Sequence, residues 1–214
     1  MARTGRPRSF DEQEVLGYAR DIFWSRGYRA TSVQDLVDGL SLERGSLYAT
    51  FGDKHELYLR AVSLYWQHNR EQLEAALANG PVLPVLRRVL AQPASLTGFT
   101  EGERRRGCLV GNTTAELVPG DPQAEALVAA AFEEFITVVA AALRRGQATG
   151  EISTAAAPEV QAQLLLVLFQ GSALVARASS DHDRLAQSID LALDALDSDP
   201  LHHNPDPPQQ PTGE

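Results

Sequence analysis

The chain has 214 residues, of which 43% are hydrophobic, so it is long enough and apolar enough to bury a sizeable core. Cys108 is the only cysteine, which excludes an intrachain disulfide and is typical of a reducing cytoplasm. No secretory signal is visible near the start, and the longest strongly apolar run, residues 164–169, is too short to span a bilayer. We therefore expect a cytoplasmic protein with no membrane partner.

The formal net charge of −9 at first argues against a nucleic-acid partner, but the charge is unevenly distributed. Residues 1–60 hold nine basic and nine acidic side chains, whereas residues 61–214 hold ten basic and nineteen acidic ones. The first segment also begins with a basic arm, formed by Arg3, Arg6 and Arg8. Because phosphate binding requires a local basic surface and not a basic protein, the composition does not exclude DNA.

The spacing of apolar residues predicts helices along almost the whole chain. Asp11 is placed to cap the first helix, Gly27 to end it, and Thr31 or Ser32 to cap the second. A short third helix follows, and a long fourth one is expected over residues 54–78. Further helices are predicted over 82–91, 123–146, 158–178 and 183–196, with a short apolar segment at 108–117. No strand pattern is visible, so the predicted fold is all-α with about nine helices.

The second and third helices, joined by a tight connection near residues 39–42, form a predicted helix-turn-helix, whose second helix enters the DNA major groove. Small residues on that helix let the backbone approach base edges closely, and an arginine there can donate two hydrogen bonds to guanine. Hydroxyl groups suit phosphate oxygens. The exposed face of the third helix is predicted to consist of Arg44, Gly45, Ser46, Tyr48, Ala49 and Thr50.

At these residues the chain resembles the TetR family of regulators. The resemblance runs from Phe10 to Leu57 and is densest in the run GSLYATFGDK at residues 45–54; the other matching residues are Ala19, Phe23, Gly27, Tyr28, Thr31, Ser32, Val33, Asp35, Leu36 and Glu56. It implies an all-α homodimer with an N-terminal DNA-binding domain and a C-terminal ligand-binding and dimerisation domain. It also implies phosphate contacts from Thr31, Ser46, Tyr48 and Lys54, and base contacts from Arg44, Gly45 and Ala49. Together with the basic arm and the exposed face of the third helix, the predicted DNA-binding set is Arg3, Arg6, Arg8, Thr31, Ser32, Arg44, Gly45, Ser46, Tyr48, Ala49, Thr50 and Lys54.

Two positions depart from the family pattern. Ser41 stands where the turn normally has glycine, and in a left-handed conformation it would cost about 1 kcal/mol. Glu43 stands near the start of the third helix, where the family commonly has serine, and its charge would repel phosphate. Lys54, the only lysine, lies at a helix start where a cation is unfavourable, and a phosphate contact would explain that placement.

The predicted organisation is a basic arm at residues 1–9, a helix-turn-helix domain at 10–54, a ligand-binding and dimerisation domain at 55–197 and a disordered proline-rich tail at 198–214. The last two helices resemble the pair that forms a four-helix bundle across a dimer axis, since their apolar surface exceeds what one subunit could bury. The predicted dimer residues are Leu168, Gly171, Ser172, Val175, Leu185, Ile189 and Leu193. The fourth helix belongs to both domains and is the expected coupling element.

Aromatic side chains of the second domain could line an apolar pocket, with a few polar residues to orient the ligand, although ordinary core packing is an alternative for each aromatic residue. The predicted ligand-binding residues are Trp66, His68, Phe99, Cys108, Asn112, Glu116, Phe132, Phe135, Phe169 and Gln170. Three arginines precede Cys108, and nearby cations lower a thiol pKa, so this residue could sense electrophiles or oxidants. The alternative is a small buried apolar residue.

These features predict a dimeric transcriptional repressor that leaves a near-palindromic operator when a small-molecule inducer binds. An activator, or a helical ligand-binding dimer without specific DNA binding, are the alternatives. The five histidines are scattered, and no phosphate-binding loop, dinucleotide fingerprint or nucleophile elbow is present. We therefore expect neither an enzyme nor a protein with a metal or cofactor.

Overall fold

The computed structural model describes residues 10–95, 106–178 and 181–197, and within them the chain forms nine helices and no β-strand. This confirms the all-α prediction. The basic arm and the proline-rich tail lie outside the described residues. The helices are α1 Glu12–Arg26, α2 Val33–Leu40, α3 Arg44–Phe51, α4 Lys54–Leu77, α5 Val82–Ser95, α6 Leu109–Leu117, α7 Pro122–Thr149, α8 Pro158–Ala176 and α9 His182–Asp194.

The ends of α1 follow from local chemistry, as the sequence predicted. The Asp11 carboxylate accepts hydrogen bonds from the backbone N–H groups of Gln13 and Glu14, which have no partner inside the helix. At the other end Gly27 has φ 86°, a conformation that favours glycine, and its N–H donates to the Phe23 carbonyl. The turn towards α2 is therefore fixed by two residues visible in the sequence.

Two hydrophobic clusters hold the helices together. The first joins α1–α4 to α6, and its fully buried members include Phe23, Leu36 and Tyr58. The second joins the distal half of α4 to α5, α7, α8 and α9, around Leu143 and Leu165. Full burial of one such side chain contributes about 1.5–3 kcal/mol, so each cluster fixes its helices firmly. The three-helix head is thus packed onto the body through α4 and α6.

Helices α7 and α8 are both long and rich in apolar residues. By length and average composition, both helices could cross a membrane. Polar residues interrupt their apolar stretches, however, and the longest strongly apolar run is only residues 164–169. Each also buries one face in the second cluster, as Val139 and Leu165 do, which is typical of core helices in water-soluble proteins. The sequence predicted that the last two helices carry more apolar surface than one subunit could bury, and within the single chain α8 does leave apolar side chains exposed. Its exposed apolar side chains are Val160, Leu164, Val167, Leu174 and Val175.

Candidate nucleic-acid interface and effector cavity

The turn between α2 and α3 has the geometry of a helix-turn-helix. Ser41 adopts the left-handed conformation, with φ 52° and ψ 37°, as its position in the turn led us to expect. Glu43 occupies the N-cap of α3 but makes no side-chain capping hydrogen bond. The two departures from the family pattern therefore lie in the turn and at the start of α3, the helix expected to read DNA.

The outer face of α3 is largely free for a partner. Leu47 and Phe51 point into the first cluster and hold the helix in place. The predicted contact residues Arg44, Gly45, Ser46, Tyr48 and Ala49 are exposed, and Thr50 is half-buried. This arrangement presents a guanidinium, two hydroxyl groups and a small-residue surface on one short helix, which suits a DNA groove.

Two hydroxyl groups of the predicted DNA-binding set, those of Thr31 and Ser32, make hydrogen bonds inside the protein. Thr31 is fully buried, and its hydroxyl donates to the Gly27 carbonyl at 2.6 Å, so its assignment to DNA is corrected. Ser32 is exposed but caps α2, because its hydroxyl accepts from the Asp35 N–H and donates to the Asp35 carboxylate. The Ser32 hydroxyl and the Ser32 backbone N–H both donate to the Asp35 carboxylate, and these two hydrogen bonds lower the pKa of Asp35. Ser32 could donate to a phosphate only by giving up its bond to Asp35.

Lys54 also has a partner within the chain. Its ammonium group lies 4.2 Å from the centre of the Tyr28 ring, which is a cation–π contact. Partial burial lowers the pKa of Lys54, and the negative charge of Glu116 partly offsets that effect. The contact with Tyr28 explains the placement of this lysine without DNA, and a phosphate contact stays a prediction. Arg3, Arg6 and Arg8 lie outside the described residues.

Glu116, expected in the ligand pocket, instead joins the head to the body. Its carboxylate accepts the backbone N–H of Arg29 at 2.9 Å, and its carbonyl accepts the Arg29 guanidinium at 2.8 and 3.1 Å. A Cβ atom on Gly27 would lie 2.8 Å from the same carboxylate, so only glycine allows this approach. The assignment of Glu116 to the ligand site is therefore corrected.

Further contacts tie the start of α4, which packs against the head, to α6 and α7. The buried Tyr58 hydroxyl lies 2.8 Å from Thr113 Oγ1, and since Thr113 donates to the Leu109 carbonyl, Tyr58 is the donor. His55 contacts the Asp121 carboxylate, which also caps α7. The Ala124 N–H and then His55 lower the pKa of Asp121. A displacement of α6 would therefore act on the first turns of α4, and through them on the helices of the head that pack against α4.

A cavity of about 250 Å³ lies at the other end of α6, enclosed by α4, α5, α7 and α8. Six of the predicted ligand residues line it: Trp66, Cys108, Phe132, Phe135, Phe169 and Gln170. The rings of Phe135 and Phe169 stack with their centres 6.0 Å apart. The cavity thus combines aromatic walls with a few polar groups, as small-molecule sites do.

Three other ligand assignments are not supported by this geometry. His68 is exposed and contacts Gln72, which itself lines the cavity. Asn112 faces a second, more open cavity, where it binds the Arg106 carbonyl and the Arg177 guanidinium. Both assignments to the main cavity are corrected. Phe99 lies outside the described residues.

Sequence reasoning missed Tyr65, Asn69 and Arg88, which also line the main cavity. The α4 residues were detectable, because Asn69 follows Trp66 by three positions and Tyr65 by four, which places it beside both on the helix surface. No sequence pattern indicated Arg88 as a cavity residue, since only the packing of α5 against α4 brings it to the cavity. Burial, followed by its interaction with Cys108, raises the pKa of Tyr65 well above the ordinary value.

Cys108 lies in the wall between the main cavity and the second one, and it lines both. Its side chain is buried, and Gln170 donates a weak hydrogen bond to its Sγ over 3.6 Å. No group of histidine, cysteine or carboxylate side chains that could hold a metal occurs in the described part of the chain.

The predicted dimer residues divide into two sets. Ser172, Ile189 and Leu193 are buried within the subunit, so their assignment to an interface is corrected: they face the chain's own core. Leu168 and Leu185 are half-buried against the second cluster. Gly171 and Val175 are exposed, on the same side of α8 as its other exposed apolar side chains.

Comparisons with known proteins agree with this architecture. Residues 15–61 match the family model described as bacterial regulatory proteins, tetR family, and residues 85–192 match that of the tetracyclin repressor-like C-terminal domain. The HTH-type transcriptional regulator YezE of Bacillus subtilis, itself uncharacterised, is 32% identical over 90% of this chain and 100% of its own length. The transcriptional repressor ComR of Escherichia coli is 30% identical over 88% of this chain and 90% of its own length.

Solved structures show the same relationship. A cysteine mutant of the TetR family regulator CifR, bound to a 26-base-pair operator, is 31% identical, with a TM-score of 0.73 over 90% of this chain and 100% of that one. Reduced NemR of E. coli, at 19% identity, has a TM-score of 0.75 over 86% of this chain and 96% of its own, and shares the fold. The helix-turn-helix, the helical body and these likenesses together show that the chain belongs to the TetR family of DNA-binding transcriptional regulators.

Proposed function

We propose that this protein is a dimeric, cytoplasmic transcriptional repressor, without enzymatic activity, that leaves its operator when a small organic molecule enters the main cavity. The observation that carries the proposal is the position of α6. One end of this helix lines the cavity through Cys108 and Val110, and the other end binds the head through Glu116. A ligand that prefers one position of α6 would therefore shift the head, because only differential affinity for two states can drive release.

The exposed apolar face of α8 supports the dimer. Val167 and Leu174 are 58% and 66% exposed, although they are large apolar side chains of a strongly apolar helix. A second copy packed on this face by two-fold symmetry would remove them from water. We expect Leu174→Arg to yield a folded monomer in analytical ultracentrifugation, whereas Ala75→Arg, on the exposed side of α4, leaves a dimer. A dimer that survives Leu174→Arg unchanged would refute this interface.

The DNA-binding role is tested by gel shift and footprinting with the region upstream of the protein's own gene. Arg44→Ala removes the guanidinium from the exposed start of α3, and loss of a base contact costs about 1–3 kcal/mol, or roughly 5- to 150-fold in affinity. Arg184→Ala, at a position where 82% of the side chain is exposed on α9, is the control. Absence of salt-sensitive, site-specific binding would favour the alternative of a ligand-binding dimer without an operator. If release of the protein from its operator increases transcription, the protein is a repressor and not an activator.

Covalent sensing at Cys108 is a second candidate mode of release. The favouring observation is its place in the wall between two cavities, where an added group would displace α6 or α8. The related CifR and NemR structures concern cysteine mutants and a reduced form, respectively. Because Cys108 is the only thiol, N-ethylmaleimide can alkylate no other cysteine. Release of DNA by this reagent from Cys108→Ser as well as from the wild type would eliminate the sensor.

A further inference from the structure

The charge inside the main cavity indicates the chemical class of its ligand. Among the described residues that line it, Arg88 is the only charged one, and none is an aspartate or a glutamate. Its neighbour Arg87 is bound by Asp190 and Asp194, whereas none of the described residues forms an ion pair with Arg88. Within the described part of the chain, this cavity therefore has one cation and no carboxylate that pairs with it.

The other polar groups near Arg88 are neutral amides. Asn69 and Gln72, from the distal half of α4, line the same cavity. Asn69 donates one side-chain N–H to the Tyr65 carbonyl at 2.7 Å, and its amide has a second N–H that can donate to a ligand. Gln72 contacts His68, and its amide is held at the cavity wall by that contact. An arginine beside neutral amides that can donate hydrogen bonds favours an anion over a cation, because the guanidinium repels a positive charge.

The remaining wall is mostly apolar, with Tyr65, Cys108 and Gln170 as its polar members, and the cavity is small. Phe132, Phe135 and Phe169 supply aromatic faces, and the volume of about 250 Å³ is the space of roughly eight liquid water molecules. Drug-sized ligands occupy larger sites, typically about 300–1,000 Å³. The occupant is therefore a short molecule with an apolar or aromatic body and one polar end.

Building on the proposed effector role, we propose that the cavity binds a small organic monoanion: a carboxylate on a compact aromatic or branched apolar body. Arg88 binds the carboxylate through its two-pronged guanidinium, and the phenylalanine rings enclose the body. Because Arg88 is exposed at the edge of the cavity, the acid enters with its apolar end first and its charge remains near water.

The test uses the full-length protein without DNA and a series of paired probes. Benzoate, phenylacetate, 3-phenylpropanoate and 4-methylpentanoate are each compared with the corresponding neutral amide, and 3-phenylpropylamine reverses the sign of the charge. Binding is followed by calorimetry and by tryptophan emission, since Trp66 lines the cavity. We expect at least one acid to bind at least tenfold more tightly than its amide, and the amine to bind most weakly. The proposal is overturned if no acid exceeds its amide up to millimolar concentration.

Variants locate the bound charge. Arg88→Gln should lower the affinity for the acid at least tenfold and leave the affinity for the amide unchanged. Arg88→Lys should give an intermediate affinity for the acid, because lysine keeps the positive charge but cannot form two parallel hydrogen bonds to a carboxylate. Arg144→Gln, at an exposed arginine outside the main cavity, should change neither. Equal affinity of wild type and Arg88→Gln for the acid would refute the assignment. Acid binding without operator release would contradict the proposed induction and leave the proposed ligand class intact. Release by neutral compounds alone would contradict the ligand class and leave the proposed induction intact.

Discussion

Replacement of Glu43 by serine tests how the start of α3 affects both stability and DNA binding. Glu43 is the N-cap residue of α3 but makes no capping hydrogen bond, so the first N–H groups of the helix lack a side-chain acceptor. Serine at an N-cap contributes about 1 kcal/mol. For a chain of this size that corresponds to an increase in the melting temperature of about 2–4 °C. We expect this increase in thermal unfolding of the Glu43→Ser variant.

The same substitution removes a negative charge from the face presented to DNA. A charge about 8 Å from one phosphate in water is repelled by roughly 0.5 kcal/mol, so two nearby phosphates give about a fivefold gain in affinity on removal of the charge. Fluorescence anisotropy with labelled operator measures this gain, which should shrink as salt increases.

Glu43→Gln separates the two effects, because it removes the charge without supplying a capping oxygen of the right length. We expect it to bind operator more tightly than the wild type without the gain in melting temperature. If Glu43→Ser is no more stable than Glu43→Gln, the capping argument is wrong. If neither variant binds DNA more tightly at low salt, α3 does not present its N-terminus to phosphate as described.

Three further predictions concern the turn, the core and the junction. Ser41→Gly should raise the free energy of unfolding by up to about 1 kcal/mol, measured with denaturant, because Ser41 has φ 52°; an unchanged or lower value would contradict strain there. Burial raises the pKa of Tyr58 to about 12, so the stability this residue contributes is complete below pH 10, the ordinary tyrosine value, and falls by about 2–3 kcal/mol as the pH rises to 12. Tyr58→Phe should remove this part of the alkaline loss, and an identical pH profile would disprove the assignment. Glu116→Ala removes the acceptor of the Arg29 N–H, so effector binding should persist while its effect on operator affinity falls severalfold, and unchanged coupling in a paired titration would contradict a role for this contact.

Features set by neighbouring residues could be predicted from the sequence. The caps at Asp11 and Ser32, the end of α1 at Gly27 and the left-handed Ser41 each depend on a few adjacent positions, and the structure has all of them. The third helix was predicted with its inward and outward faces correct, because Leu47 and Phe51 are the large apolar residues of that segment.

Features set by packing between distant helices could not be predicted. Apolar spacing in α9 showed that Ile189 and Leu193 are buried, but it could not distinguish the chain's own core from a second subunit. Glu116 and Arg29 are 87 positions apart in the sequence, so no local sequence pattern could predict their contact. Arg88 joins the cavity only because α5 packs beside α4, and an arginine on a helix surface otherwise resembles any solvated charge.

Our proposal is that this chain represses transcription as a dimer that reads DNA through α3. The most direct test is footprinting of the upstream DNA with the full-length wild type and with the Arg44→Ala variant. We predict a protected, two-fold symmetric site whose half-sites lie about one turn of DNA apart, roughly 34–36 Å or somewhat more, and which Arg44→Ala no longer protects. Protection that lacks two-fold symmetry, or that is identical with wild type and variant at the same salt concentration, would contradict the account.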